Sequence, residues 1–163
     1  MRHPERVSHL LLYAGFALGG NKRSVQEKEK RNAMMTLMRL GWGTDNPSFR
    51  QMFTGQFIPE GTREQWDFFN ELQRRTTSPE CAARSFDASG NIDVTDLLAK
   101  VTAQTLVMHV RGDLICPIEL GRALAAGIPG ARFVALQGQN HFFLEKGQAS
   151  QRFFEEIKLF LSH

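Results

Sequence analysis

Two polar residues, Asp113 and His141, have side chains suited to acid–base chemistry, and each directly follows a strand-like run. The stretch "VRGDLICP" places Asp113 after the apolar segment "TLVMHV", and "GQNHFFLE" places His141 after "ARFVALQ". Because ligands bind beyond the carboxyl ends of parallel strands, an acid and an imidazole on neighbouring loops can meet there. A carboxylate that accepts a hydrogen bond from one ring nitrogen leaves the other nitrogen as a base.

Each of the two residues also has a plainer interpretation when it is taken alone. Asp113 could simply cap the helix that is predicted to follow it. His141 could be a polar loop residue, although nothing in its segment needs an imidazole for packing. Their order, and their position at two strand ends, favours the acid–histidine interpretation.

The elements around these residues predict an α/β fold. The continuous apolar run "RVSHLLLYAGF" is typical of a strand buried on both faces of a parallel sheet. Residues 21–98 contain only helical signals, and from residue 99 onward strand, helix, strand and helix alternate. We therefore predict one domain, with a small three-stranded parallel sheet and flanking helices in residues 1–20 and 99–163. Residues 21–98 would form a helical cap inserted into it.

Several helices carry their own start signals. Thr62 and Gln65 match a capping box, and Ser78 followed by Pro79 predicts a cap and a first-turn proline. The segment "QASQRFFEEIKLFLS" predicts a final helix with four inward-facing apolar residues: Phe153, Ile157, Phe160 and Leu161.

The charge of the chain argues against a nucleic-acid partner. The formal net charge is +3, and the basic residues are interleaved with acidic ones, as in "NKRSVQEKEKRNA". Such a run is better explained as a solvated helix face than as a binding patch.

Cysteine use and hydropathy argue against a disulfide-rich, a metal-binding and a membrane-spanning protein. Cys81 and Cys116 have neither CxxC nor metal-type spacing, so we expect no disulfide framework and no metal site. Thiols of this kind suit a reducing cytoplasm. The run "LLLYAGFALGG" resembles the apolar part of a signal peptide, but Pro4 and Glu5 precede it and the run is short, which favours a buried strand. No segment is long enough to span a membrane.

From "HPERVSHLLLY" to its end, the chain resembles the C-terminal part of an esterase-like α/β-hydrolase. In that resemblance "HPERV" closes the helix behind the nucleophile, and "SHLLLYAGF" is the strand after it. The segment "TLVMHVRGDLICP" carries the acid of the catalytic triad, Asp113, and "IPGARFVALQGQNHFFLE" carries its histidine, His141. The resemblance implies a small ester or acyl ligand, and no cofactor is expected.

The chain also departs from that family at the nucleophile. The family serine lies in G-x-S-x-G, and this motif does not occur in the sequence. Cys116 is better explained as a small buried hydrophobe, and Ser89 in "DASGN" lies in a predicted turn with no strand before it. We expect a truncated hydrolase domain that lacks a nucleophile and oxyanion amides and is inactive alone. The alternative is an ester hydrolase that is active when a partner chain or a missing N-terminal part supplies the serine.

The same resemblance suggests an assembly. Without the neighbouring strand of a complete hydrolase, "SHLLLYAGF" would leave one edge unpaired, and the segment contains no Pro, Lys, Arg, Asp or Glu to discourage pairing. We therefore expect a homodimer whose interface includes the residues around Leu10 to Phe16.

Overall fold

The computed structural model describes residues 3–46, 48–143 and 147–162. The chain divides into two compact units, here called the sheet unit (Met1–Ala17 and Val94–His163) and the helical unit (Leu18–Asp93). The sequence predicted a cap from 21 to 98, and the assignment of the helical unit as a cap domain stays a prediction.

The strands are β1 (His9–Tyr13), β2 (Gln104–Val110) and β3 (Arg132–Leu136). The helices are α1 (Gly20–Arg23), α2 (Val25–Gly41), α3 (Ser48–Phe57), α4 (Arg63–Thr76), α5 (Pro79–Gly90), α6 (Ile118–Gly127) and α7 (Gln148–Leu161).

The sheet unit contains a three-stranded parallel sheet in the order β1-β2-β3. Met108 of β2 pairs with Tyr13 on one side and with Val134 on the other. The predicted three-stranded parallel sheet is confirmed. Since parallel strands share one carboxyl edge, the loops that follow β2 and β3 emerge side by side.

Both faces of the central strand are buried, which is why β2 is almost continuously apolar. On one face Val107 packs with Leu124, Ala125 and Ile128 from α6 and the turn after it. On the other face a cluster that includes Phe160 of α7 covers three residues of β2: Leu106, Met108 and Val110.

The prediction that the first strand is buried on both faces was wrong. β1 has only five residues, and Leu11 in its centre is 38% exposed. Within the described residues β1 has one strand neighbour, β2, so it is an edge strand that receives less cover than β2.

The inward face of α7 also differs from the prediction in one position. Phe160 is buried, but Leu161 is 52% exposed because the next residue along a helix is turned by about 100°. A carboxylate lies inward instead: Glu156 is buried and forms ion pairs with Arg132 of β3 and Arg152 of α7. Two guanidinium partners compensate this buried charge.

The helical unit has a core of its own. Met38 and Trp42 at the end of α2 pack with Phe53 of α3 and with Ala82 and Ala83 of α5. Ser78 accepts a hydrogen bond from the backbone N–H of Cys81 at 3.3 Å, with Pro79 at the first helical position, so this predicted cap is confirmed. None of the helices in the described ranges is long and apolar enough to cross a bilayer.

The predicted capping box of α4 is confirmed. The N–H of Gln65 donates to Thr62 Oγ1 at 3.3 Å, and the N–H of Thr62 donates to Gln65 Oε1 at 2.8 Å. The two side chains therefore satisfy backbone donors at the start of the helix that would otherwise have no intrahelical partner.

We predict that Thr62→Ala lowers the free energy of unfolding by about 1 kcal/mol, because it removes the acceptor for the Gln65 amide. Urea denaturation followed by circular dichroism measures the change. Thr62→Ser keeps the oxygen and serves as the control. Equal stability of Thr62→Ala and wild type would contradict the role of the box.

Candidate active site

The loops after β2 and β3 are joined by main-chain hydrogen bonds. The N–H of Arg111 donates to the carbonyl of Leu136, and the N–H of Gly112 donates to that of Gly138, both at 3.0 Å. Gly138 has φ +118°, a conformation that favours glycine, so its backbone can turn towards the neighbouring loop. These bonds continue the pairing of β2 with β3 beyond the ends of the two strands, and they bring the two predicted site residues together.

His141 and Asp113 form a direct hydrogen bond. Nδ1 of His141 lies 2.7 Å from Oδ2 of Asp113, within the range of 2.6–3.2 Å expected for a catalytic contact. The Asp113 side chain is fully buried, and the His141 side chain is 15% exposed. Because a carboxylate only accepts, the proton lies on Nδ1, and in neutral His141 the basic lone pair is therefore on Nε2.

The second carboxylate oxygen of Asp113 holds its own loop. Oδ1 accepts hydrogen bonds from the N–H groups of Ile115 and Cys116, both at 2.9 Å. The alternative that Asp113 caps the following helix is wrong, because Pro117 is the N-cap residue of α6 and no side chain caps it. Asp113 thus has two roles: Oδ1 fixes the loop, and this directs Oδ2 to His141.

Tyr13, the last residue of β1, holds the backbone of His141. Its hydroxyl donates to the His141 carbonyl at 2.7 Å, and its ring packs against Phe143 and Phe153, each with ring centroids 5.2 Å away. Burial raises the pKa of Tyr13 well above its ordinary value, and the negative charge of Asp113 raises it further. The phenol therefore stays protonated and remains a donor.

Sequence reasoning missed Tyr13, although a signal was present. It is the only tyrosine of the chain, and it ends a strand at the same edge of the sheet as Asp113 and His141. Directly after it, Ala14 has φ +50°, a left-handed conformation that costs a residue other than glycine about 1 kcal/mol. Strained residues of this kind cluster at functional sites.

The two residues considered as replacement nucleophiles are engaged elsewhere. Cys116 is 2% exposed, and its Sγ lies 3.7 Å from the carbonyl of Gly15. Ser89 lies in the last turn of α5, so the turn predicted for "DASGN" is wrong in this part. Its hydroxyl donates to the Phe86 carbonyl at 2.7 Å and accepts from Arg31 at 3.0 Å. Neither residue follows a strand at a sharp turn into a helix, as an elbow nucleophile does.

Within the residues that the structure describes, no group of three or more His, Cys, Asp and Glu side chains could hold a metal ion. Cys81 and Cys116 are not joined in a disulfide. The arrangement is suited to proton transfer by an oriented imidazole.

The fold and the site together are those of the C-terminal part of an α/β-hydrolase. They combine a parallel sheet, covered by α6 on one face and α7 on the other, with an acid–histidine pair at the strand ends. Residues 67–156 match the family model of the TAP-like proteins, one of the α/β-hydrolase families. The chain belongs to this TAP-like family of α/β-hydrolases. No curated protein matches the chain.

Solved α/β-hydrolases share the fold. An esterase from Exiguobacterium antarcticum is 23% identical with a TM-score of 0.76, over 96% of this chain and 58% of the esterase. An α/β-hydrolase enzyme from a Medee basin deep-sea metagenome library has a TM-score of 0.78 at 13% identity, over 99% and 58%. A bromoperoxidase from Bacillus anthracis has a TM-score of 0.73 at 20% identity, over 97% and 59%. The chain thus spans less than two thirds of these proteins, and at such identities the likeness concerns the fold.

The two roles of Asp113 are separable by substitution. We predict that Asp113→Ala accelerates hydrogen exchange of the Ile115 and Cys116 amides about tenfold or more, because each loses an acceptor worth about 1–3 kcal/mol. Asp113→Asn keeps an oxygen for these amides and leaves their exchange nearly unchanged, while it removes the charge that faces His141. Amide exchange followed by NMR measures both effects.

The exposed Asp96 provides the control, because Asp96→Asn removes one negative charge at a residue that belongs to neither loop. Equal exchange of the Cys116 amide in Asp113→Ala and wild type would contradict the loop-holding role.

Proposed function

We propose that this chain carries the acid–base part of a serine-hydrolase-type active site, in which His141 is the general base and Asp113 orients it. The observation that carries the proposal is the 2.7 Å contact between His141 Nδ1 and a buried Asp113 carboxylate. An ester or related acyl compound is the substrate class that suits this chemistry. The fold shared with a solved esterase supports the choice.

In the proposed reaction, Nε2 of His141 takes the proton of an attacking hydroxyl and later gives it to the leaving group. Asp113 keeps the Nδ1–H tautomer and stabilises the imidazolium that forms between these steps. Because the carboxylate is buried, its attraction for the imidazolium is screened less than it would be in water. Tyr13 limits the movement of the His141 backbone through its hydroxyl.

We further propose that the described residues supply no nucleophile, so that the chain alone is inactive. The absence of G-x-S-x-G and the engaged positions of Cys116 and Ser89 support this. Loss of triad members lowers catalysis by several orders of magnitude, although binding can survive. The alternative is an active ester hydrolase that forms when another polypeptide, or further sequence joined to this chain, supplies a G-x-S-x-G serine.

We predict that the purified protein neither hydrolyses short-chain p-nitrophenyl esters above the buffer rate nor reacts with a fluorophosphonate probe. His141→Ala leaves the background unchanged, because a base without a nucleophile accelerates nothing. A known serine esterase, assayed in parallel, confirms that the probe and the substrate are competent. Stoichiometric labelling that maps to Ser89, to Cys116 or to another residue would reveal a nucleophile and overturn the proposal of inactivity.

We also propose a homodimer that forms through β1. Within the described residues no strand pairs with the outer edge of β1, and successive backbone groups of a strand alternate between its two edges. The N–H of Ala14 donates to Met108 of β2, so the backbone groups of Leu11 and Tyr13 point away from β2. Such an edge can add a strand from a second chain.

We predict that the protein sediments as a dimer at micromolar concentration and that Leu11→Lys shifts it towards the monomer. Leu11 is the suitable position because it is partly exposed, whereas Leu12 packs on the core cluster beside Val107. Leu161→Lys, at an exposed position of α7, is the control for added charge. A wild-type protein that is monomeric throughout the concentration range would contradict the dimer.

A further inference from the structure

A second histidine lies under the site. His109 of β2 is completely buried, and its Nε2 lies 2.6 Å from the carbonyl oxygen of Cys116 and 4.0 Å from Asp113 Oδ2. A carbonyl oxygen only accepts, so Nε2 carries the proton. Within the described residues Nδ1 of His109 has no hydrogen-bond partner.

Three hydrogen bonds connect this ring to the proposed base. Nε2–H of His109 donates to the carbonyl of Cys116, and the N–H of Cys116 donates to Asp113 Oδ1 at 2.9 Å. Nδ1–H of His141 then donates to Asp113 Oδ2. Cys116 is therefore held at both ends of its main chain, by His109 through its carbonyl and by Asp113 through its amide.

The helix behind His109 holds its ring in place. A Cβ added at Gly121 of α6 would lie 2.3 Å from His109 Nδ1, closer than side-chain atoms can approach. The glycine lets the helix backbone rest against the ring, and the ring in turn reaches Cys116. A side chain at position 121 would push the imidazole away from this contact.

Core stability alone gives no reason for an imidazole at position 109. A buried polar atom without a partner costs free energy, and the neighbouring positions of β2 are apolar: Val107, Met108 and Val110. A residue such as Leu would avoid this cost. The one feature that Leu cannot supply is the N–H that points at the loop of Asp113.

We infer that His109 is a positioning residue for the Asp113–His141 pair, acting through the main chain of Cys116, and that Gly121 provides the space that keeps its ring aligned. The inference rests on the proposed function, since it describes how the orienting carboxylate is itself held. His109 contacts no reacting atom in this role.

The test compares His109→Leu, which removes the N–H, with His109→Gln, whose amide N–H can reach the same carbonyl. The readouts are the low-field NMR signal of the His141 Nδ1 proton and hydrogen exchange of the Cys116 amide. In His109→Leu both protons exchange about tenfold faster or more, which corresponds to the loss of one buried hydrogen bond. His109→Gln restores slow exchange. A His109→Leu protein that folds and keeps both protons as slow as wild type would overturn the inference.

A second pair of variants covers the case in which His109→Leu does not fold. Gly121→Ala keeps the imidazole but displaces it, and it is expected to accelerate exchange of the same two protons. Gly127→Ala is the matched control on α6, since its Cβ would meet Leu98 at 2.5 Å and not the histidine. Equal behaviour of the two glycine variants would overturn the inference.

The two proposals fail in distinguishable ways. If wild type shows no slowly exchanging Nδ1 proton that depends on Asp113, the acid–histidine proposal is wrong. The positioning of the loop by His109 is then decided by the Cys116 amide alone. Faster exchange of that amide in His109→Leu then supports only the contact of His109 with the loop of Asp113, and unchanged exchange overturns the inference.

Discussion

The buried carboxylate of Asp113 is the constraint on which the rest of the site depends. A charge without solvent must be matched by donors, and here the N–H groups of Ile115 and Cys116 and the ring of His141 supply them. Each donor that satisfies the carboxylate is fixed by it in return. The proposed base is therefore oriented by the same interactions that make the buried acid tolerable, and the contacts of His109 and Cys116 extend the arrangement into the core.

The sheet makes this arrangement possible. β2 is covered on both faces, and its parallel pairing with β3 places the loop of Asp113 beside that of His141. The bonds from Arg111 to Leu136 and from Gly112 to Gly138 continue the pairing beyond the strands. Hydrophobic burial of β2 thus positions the two loops, and hydrogen bonds between the loops hold them together.

Sequence reasoning succeeded where a local pattern determines the outcome. The continuous apolar run of β2, the capping box at Thr62 and the strand-end positions of Asp113 and His141 are all readable from neighbouring residues. It failed where tertiary packing decides. The degree of burial of β1 depends on which strands are adjacent to it. The inward position of Glu156 depends on two arginines, one of them on β3. The contacts of Tyr13 with the His141 loop likewise join positions far apart in sequence.

The tautomer of His141 tests the account most directly, because every step of the proposed chemistry needs the proton on Nδ1 and the lone pair on Nε2. The ¹⁵N chemical shifts of the two ring nitrogens, measured by NMR in the wild-type protein with the ring neutral, report it. We predict a protonated Nδ1 and an unprotonated Nε2, and we predict that Asp113→Asn abolishes this preference. A neutral His141 with its proton mainly on Nε2 in the wild-type protein would contradict the account.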